Sequence, residues 1–129
     1  MSIATPDPRP AKRVVDPRAG VEKCQLEGRC RACGRIPTGH PLDKLNRAHL
    51  VSRGAGGDDL DENIVPLCGS GTTGCHGRLH SHERGWRVVA SALRRNLLHV
   101  EIQYVLRKRG VDWLDETYPL LPAEPLVSG

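Results

Sequence analysis

Four cysteines in two pairs restrict this chain more than any other feature of its sequence. Cys30-Arg31-Ala32-Cys33 is a CxxC, and Cys68 and Cys75 enclose the stretch Gly-Ser-Gly-Thr-Thr-Gly. Thiolates two residues apart on a tight turn fill adjacent corners of a tetrahedron, the geometry zinc prefers. The second pair is wider, but its glycine-rich interior lets the ends approach each other. The 34 residues between the pairs then close as a loop over one metal. A redox role for the CxxC would call for a surrounding βαβ pattern, and none is seen. Plain core packing fits poorly, since Cys30 and Cys33 sit among Arg and Gly. Cys30, Cys33, Cys68 and Cys75 are therefore expected to hold a structural zinc, with Cys24 left as a spare thiol.

Composition points the same way. A chain of 129 residues has room for one compact domain. With 38% apolar residues, no Phe, two Trp and two Tyr, its core is thin and calls for a staple. Five cysteines, an odd number, and no signal-peptide pattern favour metal over disulfides. No apolar run is long enough to cross a bilayer, so no membrane role and a soluble, cytoplasmic protein are expected. The net charge of +4 and the excess of 15 Arg over 4 Lys are compatible with a polyanionic partner. They fit a GC-rich coding sequence equally well.

The chain divides into three stretches. Residues 1–20 carry four Pro and four basic side chains and read as a flexible basic arm. Residues 21–85 hold the Cys, His and Gly. Within them 46–51 and 63–67 are strand-like around a Gly/Asp loop, and 76–83 suits a short helix ended by Gly85. Residues 86–129 form a helical extension, with candidates over 88–96 and 97–109. In the second, Leu98, Ile102, Val105 and Leu106 share a face, and Gly110 closes the helix. Trp113, Leu114 and Tyr118 are expected to pack back on these helices.

His76 and His80, four apart on the expected helix, project from one side and suit a shared divalent ion. His76 directly follows a thiol of the second pair, which fixes the start of that helix. His82 is expected to point away into solvent, and His40 and His99 fall in no cluster. His49 lies in the first strand before the Gly-rich loop, where an imidazole could take a proton from water. Asn63, fourteen residues on, could hydrogen-bond across the loop and hold the strand that carries His49.

In this order the residues resemble the HNH endonuclease family, also called ββα-metal. The similarity runs over roughly residues 24–85: the Cys30/Cys33 pair, the stretch HLVSRGAGGDDLDENIVPLC from His49 to Cys68, and then CHGRLH from Cys75 to His80. The segment LCGSGTTGCHG and the later WLDETYP look like HNH proteins of actinobacterial phages. The resemblance implies an α+β fold with a ββα-metal core, stapled by the four-cysteine zinc and followed by C-terminal helices. It implies a DNA phosphodiester hydrolase that leaves 5′-phosphate and 3′-hydroxyl ends, and in a phage a part in genome packaging beside a terminase. His49 would be the general base, Asn63 would orient its loop, and His76 and His80 would bind a catalytic divalent cation. Two imidazole ligands favour Mn²⁺, Co²⁺, Ni²⁺ or Zn²⁺ over Mg²⁺. Arg47, Arg53 and Arg78 are the nearby candidates for phosphate contacts.

The chain departs from the family at Ala48, where a metal-binding Asp or His usually precedes the catalytic His. A methyl group coordinates nothing. Water and substrate could complete the shell, Asp58 or Asp59 could swing in, or catalysis could be weak. Taking His49 as the ligand instead would put Leu50 at the base position. The expected function is therefore a metal-dependent nuclease that nicks or cuts DNA. The alternatives are a zinc-stapled DNA-binding module without catalysis, contacting DNA through Arg94-Arg95 and Arg107-Lys108-Arg109, and a zinc-ribbon adaptor that binds protein. Whether the chain acts as a monomer or a dimer is left open.

Overall fold

The computed structural model describes residues 12–41, 43–70 and 72–122. The fold is α+β, with five helices and one two-stranded sheet among the described residues. Helix α1 (Val21–Glu27) comes first, followed by strands β1 (Leu45–His49) and β2 (Ile64–Cys68). Helices α2 (Gly74–Ser81), α3 (Trp86–Arg95), α4 (His99–Arg109) and α5 (Val111–Thr117) complete it. Two short 3-10 turns, Arg53–Ala55 and Asp61–Asn63, shape the loop between the strands.

The strands pair antiparallel, with Ala48 opposite Val65 and His49 opposite Ile64. All five residues of β2 are buried, so this strand is the floor on which the helices gather. Pro66 forfeits an N–H, which a two-stranded sheet tolerates. Its carbonyl instead accepts from the Arg31 N–H at 2.8 Å, tying the CxxC turn to the strand. β1 ends two residues earlier than its apolar run suggests. The cause is Asn63, whose side chain takes both the N–H and the C=O of Val51 and draws the chain out of the ladder.

The helices obey their apolar spacing with one exception. α3 buries Val89, Ala90 and Leu93, one stripe of a helix surface. α2 stops at His82, which takes the left-handed conformation (φ 49°) and donates its N–H to the Arg78 carbonyl. α4 buries the expected face only in part: Val105 is buried and Ile102 and Leu106 pack against the core, but Leu98 is 50% exposed and Glu101 and Tyr104 are buried instead. Glu101 goes inside because its carboxylate is met there by Arg31 (Nη1 at 2.5 Å, Nη2 at 3.0 Å), by Lys23 Nζ at 2.7 Å and by the Leu98 N–H at 2.7 Å. A buried carboxylate with that many donors is satisfied. Burial would raise its pKa, yet the hydrogen bonds from Arg31 and Lys23 outweigh this and hold it below the usual range.

One contiguous core runs from Cys30 through the sheet to Tyr118, with Leu114 and Tyr118 packed inside and Trp113 against its edge. The division at residue 85 is thus one of sequence, since both stretches share this core. The basic arm also ends sooner than its composition suggests. Residues 1–11 lie outside the described residues, but 12–20 are docked on the loop between the strands. Val14 N–H donates to Asp58 Oδ1 at 2.8 Å, Val14 C=O accepts from Asp59 N–H at 2.9 Å, and Gly20 N–H donates to Asp61 Oδ1 at 2.8 Å. Three carboxylates in that loop supply the partners, a complementarity that the arm's own sequence does not reveal.

Candidate functional site

The four-cysteine cluster is assembled from three places: Cys30 and Cys33 on the turn after α1, Cys68 at the end of β2, and Cys75 in the first turn of α2. Gly69 makes the turn out of β2 possible; its φ is +94°, and a Cβ there would lie 2.0 Å from the Thr73 carbonyl oxygen. All four sulfurs lie within 4.8 Å of one another, and all are free thiols. Thiolates around zinc at about 2.3 Å make a tetrahedron with edges of about 3.8 Å. The Cys33–Cys68 edge is 3.8 Å. Cys30, Cys68 and Cys75 are buried and Cys33 is exposed. The hydrogen bond from Cys75 lowers the Cys30 thiol to about 4 despite burial, helped by backbone hydrogen bonds at Cys33, Cys68 and Ala32. Cys75 is driven upward by the same contact. Four donors at this spacing, one already favouring its thiolate, could hold a metal ion such as zinc.

Cys24 takes no part. It packs in a separate small cluster with Ala19 and Ile64, and burial raises its pKa to about 11. A thiol so disposed is inert at neutral pH.

Beside the cluster, β1, β2 and α2 enclose a cleft of about 280 Å³ lined by Ala48, His49, His76, His80, His82 and Tyr118 among others. His76 and His80 have ring centroids 6.2 Å apart. Two imidazoles bound to one ion, at metal–nitrogen distances of about 2.1 Å, have centroids no more than about 6.5 Å apart. The pair is within that reach, and a tetrahedral angle needs the rings to close by about 1 Å. His76 Nδ1 is buried and has no hydrogen-bond partner. Burial, then the nearby His80 and His49, lowers the His76 pKa and favours the neutral ring a metal requires. Among the described residues only the four cysteines form a ready cluster of three or more ligand groups.

His49, at the end of β1, borders this cleft and also a recess on its other side lined by Asp16, Arg47, Arg53 and Asp59. Its Nε2 lies 2.8 Å from Asp59 Oδ1. The loop carrying Asp59 is pinned by Asn63, which is fully buried. Asn63 Oδ1 accepts from Val51 N–H at 2.8 Å, and Nδ2 donates to the carbonyls of Val51 at 3.0 Å and Asp58 at 2.9 Å. Gly57 is required here because a Cβ would sit 1.7 Å from the Val51 oxygen and 2.9 Å from Asn63 Nδ2. Asn63 thus holds the loop that His49 leans on.

Neither candidate substitute for the donor missing at Ala48 is available. Asp58 accepts from Tyr104 Oη at 2.7 Å, from Val14 N–H, and from Lys108 Nζ at 3.0 Å. Asp59 is engaged with His49 and with the Asp16 N–H at 3.0 Å. Ala48 itself is buried against the cleft.

The three arginines fare differently. Arg47 Nη1 is committed to the carbonyls of Pro17 and Ala19, at 2.9 and 2.8 Å. Arg53 is exposed, with Nε 3.7 Å from Asp59 Oδ1. Arg78 is exposed on α2 and lines neither hollow. The C-terminal basic clusters divide: Arg94 reaches Asp115 and the Tyr118 carbonyl and Lys108 reaches Asp58, while Arg95, Arg107 and Arg109 are exposed, the last two over the rings of Tyr104 and Trp113. Two roles escaped the sequence reading. His82 is exposed as expected, yet it borders the cleft, stacked on Trp86 with centroids 4.2 Å apart. Asp59 faces His49, which no spacing rule would have singled out from Asp58 or Asp61.

No helix among the described residues is long and apolar enough to cross a membrane. The chain matches no protein-family model, no curated protein and no solved structure.

Proposed function

We propose that this chain is a metal-dependent DNA endonuclease of the HNH type, with a structural zinc on Cys30, Cys33, Cys68 and Cys75 and with His49 as its general base. The observation that carries the reading is the cleft in which His49, His76 and His80 meet, with one buried His76 nitrogen lacking any partner. A scaffold without chemistry has no reason to gather three imidazoles and leave one unsatisfied. His49 takes a proton from water, and the resulting hydroxide attacks the phosphorus as the bond to the 3′-oxygen breaks. That oxygen then gains a proton from solvent. His76 and His80 would hold the divalent cation, which supplies positive charge to the scissile phosphate. Asn63 keeps the loop behind His49 from shifting, and Arg53 and Arg78, both exposed, would be the candidates to meet the DNA backbone.

The second reading, a zinc-stapled DNA-binding module without catalysis, is favoured by Ala48, whose methyl group stands where a third ligand would complete the site. Supercoiled-plasmid cleavage with Mg²⁺, Mn²⁺, Ni²⁺ or EDTA, wild type beside His49→Ala, separates the two. Metal-dependent nicking that His49→Ala abolishes is expected. Protein that holds one zinc and binds DNA but cuts with no ion would leave the binding module in its place.

A further inference from the structure

The run Asp58-Asp59-Leu60-Asp61-Glu62 would ordinarily be read as a solvated acidic loop. Three of its acids have instead been assigned separate tasks. Asp58 is taken by Tyr104, Val14 and Lys108, and Asp61 caps Gly20. Asp59 alone faces His49, with its side chain 3% exposed.

We propose that Asp59 is a positioning residue that fixes the tautomer of His49, and that the N-terminal segment from Arg13 to Asp16 is the strap that holds Asp59 in place. This inference rests on the nuclease reading for its catalytic consequence but not for its structural content.

The hydrogen bond from His49, the Asp16 N–H and the adjacent Arg53 together hold the Asp59 pKa below the usual carboxylate range. At neutral pH the group is a carboxylate, and a carboxylate only accepts. The ring nitrogen 2.8 Å away must therefore carry the hydrogen, so the neutral form of His49 is the Nε2–H tautomer. Nδ1 is then the nitrogen with a lone pair, the one able to take a proton from water. Asp59 lines the recess and not the cleft, so it acts through His49 without touching a reacting group.

The strap secures this arrangement from the far side. Asp16 N–H donates to Asp59 Oδ2 at 3.0 Å, and Asp59 N–H donates to the Val14 carbonyl at 2.9 Å. Arg13 Nε donates to the Gly57 carbonyl at 2.6 Å, while its Nη2 lies 3.3 Å from Asp59 Oδ1. Asp59 is thus gripped through side chain and backbone by residues more than forty positions away, and Oδ1 is left facing His49. The titratable and charged groups around the ring are Asp59, Asp16, Arg13, Arg47 and Arg53 on the recess side and His76, His80 and His82 on the cleft side.

The test is ¹⁵N NMR of the imidazoles in the full chain at neutral pH, beside plasmid nicking as a function of pH. Wild type is expected to show His49 protonated at Nε2. Asp59→Asn should yield a mixture of tautomers, a shifted pH–rate profile and a kcat lower by about 10- to 100-fold with KM little changed, as for other partners that orient a reactive His. Asp61→Asn, which removes the same charge from the same loop, should leave the tautomer alone. Arg13→Ala should produce a weaker version of the Asp59→Asn effect. Wild-type His49 carrying its hydrogen on Nδ1 would overturn the proposal even if every variant failed to fold. An unchanged tautomer in folded Asp59→Asn would overturn it as well. Wild type that shows Nε2–H but cuts no DNA would sink the nuclease reading and leave the Asp59–His49 pairing standing.

Discussion

The two candidate metal centres sit side by side and are built on opposite plans. The cysteine cluster draws four identical donors from three elements, buries three of them and needs nothing from outside. The histidine cleft has its two candidate donors on a single helix, opens to solvent and is lined at Ala48 by a methyl group. Structural sites are closed and catalytic sites keep positions open. On the proposed function, the first would hold the chain together while the second would leave room for water and a phosphate.

That contrast is broken most directly at the cysteines. Cys75→Ser, or stripping the metal with a chelator, is expected to unfold the protein. Structural zinc sites contribute an apparent ~10–16 kcal/mol, as much as a small domain's whole stability of about 5–15 kcal/mol. Circular dichroism with metal analysis checks this, and a metal-free chain that stays folded would erase the distinction. His49→Ala should do the reverse, cutting nicking by about 100-fold or more while the melting temperature and zinc content stay put. Loss of fold in that variant would mean the cleft is structural too.

Glu101→Gln tests whether the support outside both centres matters. Removing one partner of a buried ion pair costs about 3–5 kcal/mol, and the upper part of that range is not expected here, because Arg31 keeps Glu27 and Lys23 keeps the carbonyls of Asp61 and Ile64. The folded-state pKa of Glu101 lies below its ordinary 4.5, so its contribution is fully present above that value. It is lost as pH falls through the folded-state value. Wild type should therefore lose stability on acidification below about 4.5 more steeply than Glu101→Gln, as denaturant melts at stepped pH would show. Ala48→Asp, the smallest expected effect, adds a donor to the cleft. It should tighten divalent-ion binding by about tenfold and improve the use of Mg²⁺, at a cost of about 1–3 kcal/mol without metal for burying a carboxylate. Calorimetric titration with Mn²⁺ and Mg²⁺ sharpens the comparison, since unchanged binding would place the ion elsewhere.

What could be read from the sequence followed chemical identity. Cysteines have few uses, and two pairs with flexible ends name their own partners; the sulfurs do converge. Asn63 and Gly57 were legible because a loop between strands needs something to close it. The acids were not. Asp58, Asp59 and Asp61 are interchangeable on paper, and only distant partners sort them: the docked 13–20 for all three, Tyr104 and Lys108 for Asp58, and His49 for Asp59. Glu101 misled for a related reason. Its helix offers Leu98, Ile102, Val105 and Leu106 as an apolar face, yet Arg31 and Lys23, some seventy residues earlier, draw the carboxylate inside and leave Leu98 in solvent. Propensity and periodicity are local, and a long-range ion pair overrides them.

Arg31 stands between Cys30 and Cys33, so the residue that clamps α4 belongs to the turn that presents two of the thiols. Its carbonyl also accepts from Asn96 Nδ2 at 2.8 Å, and its guanidinium donates to the Asn96 carbonyl at 3.1 Å. The turn and the C-terminal helices are therefore expected to open as a single cooperative unit. Amide protons in β2 and in α4 should exchange with the same free energy, and both should lose protection together when the thiols release their ion.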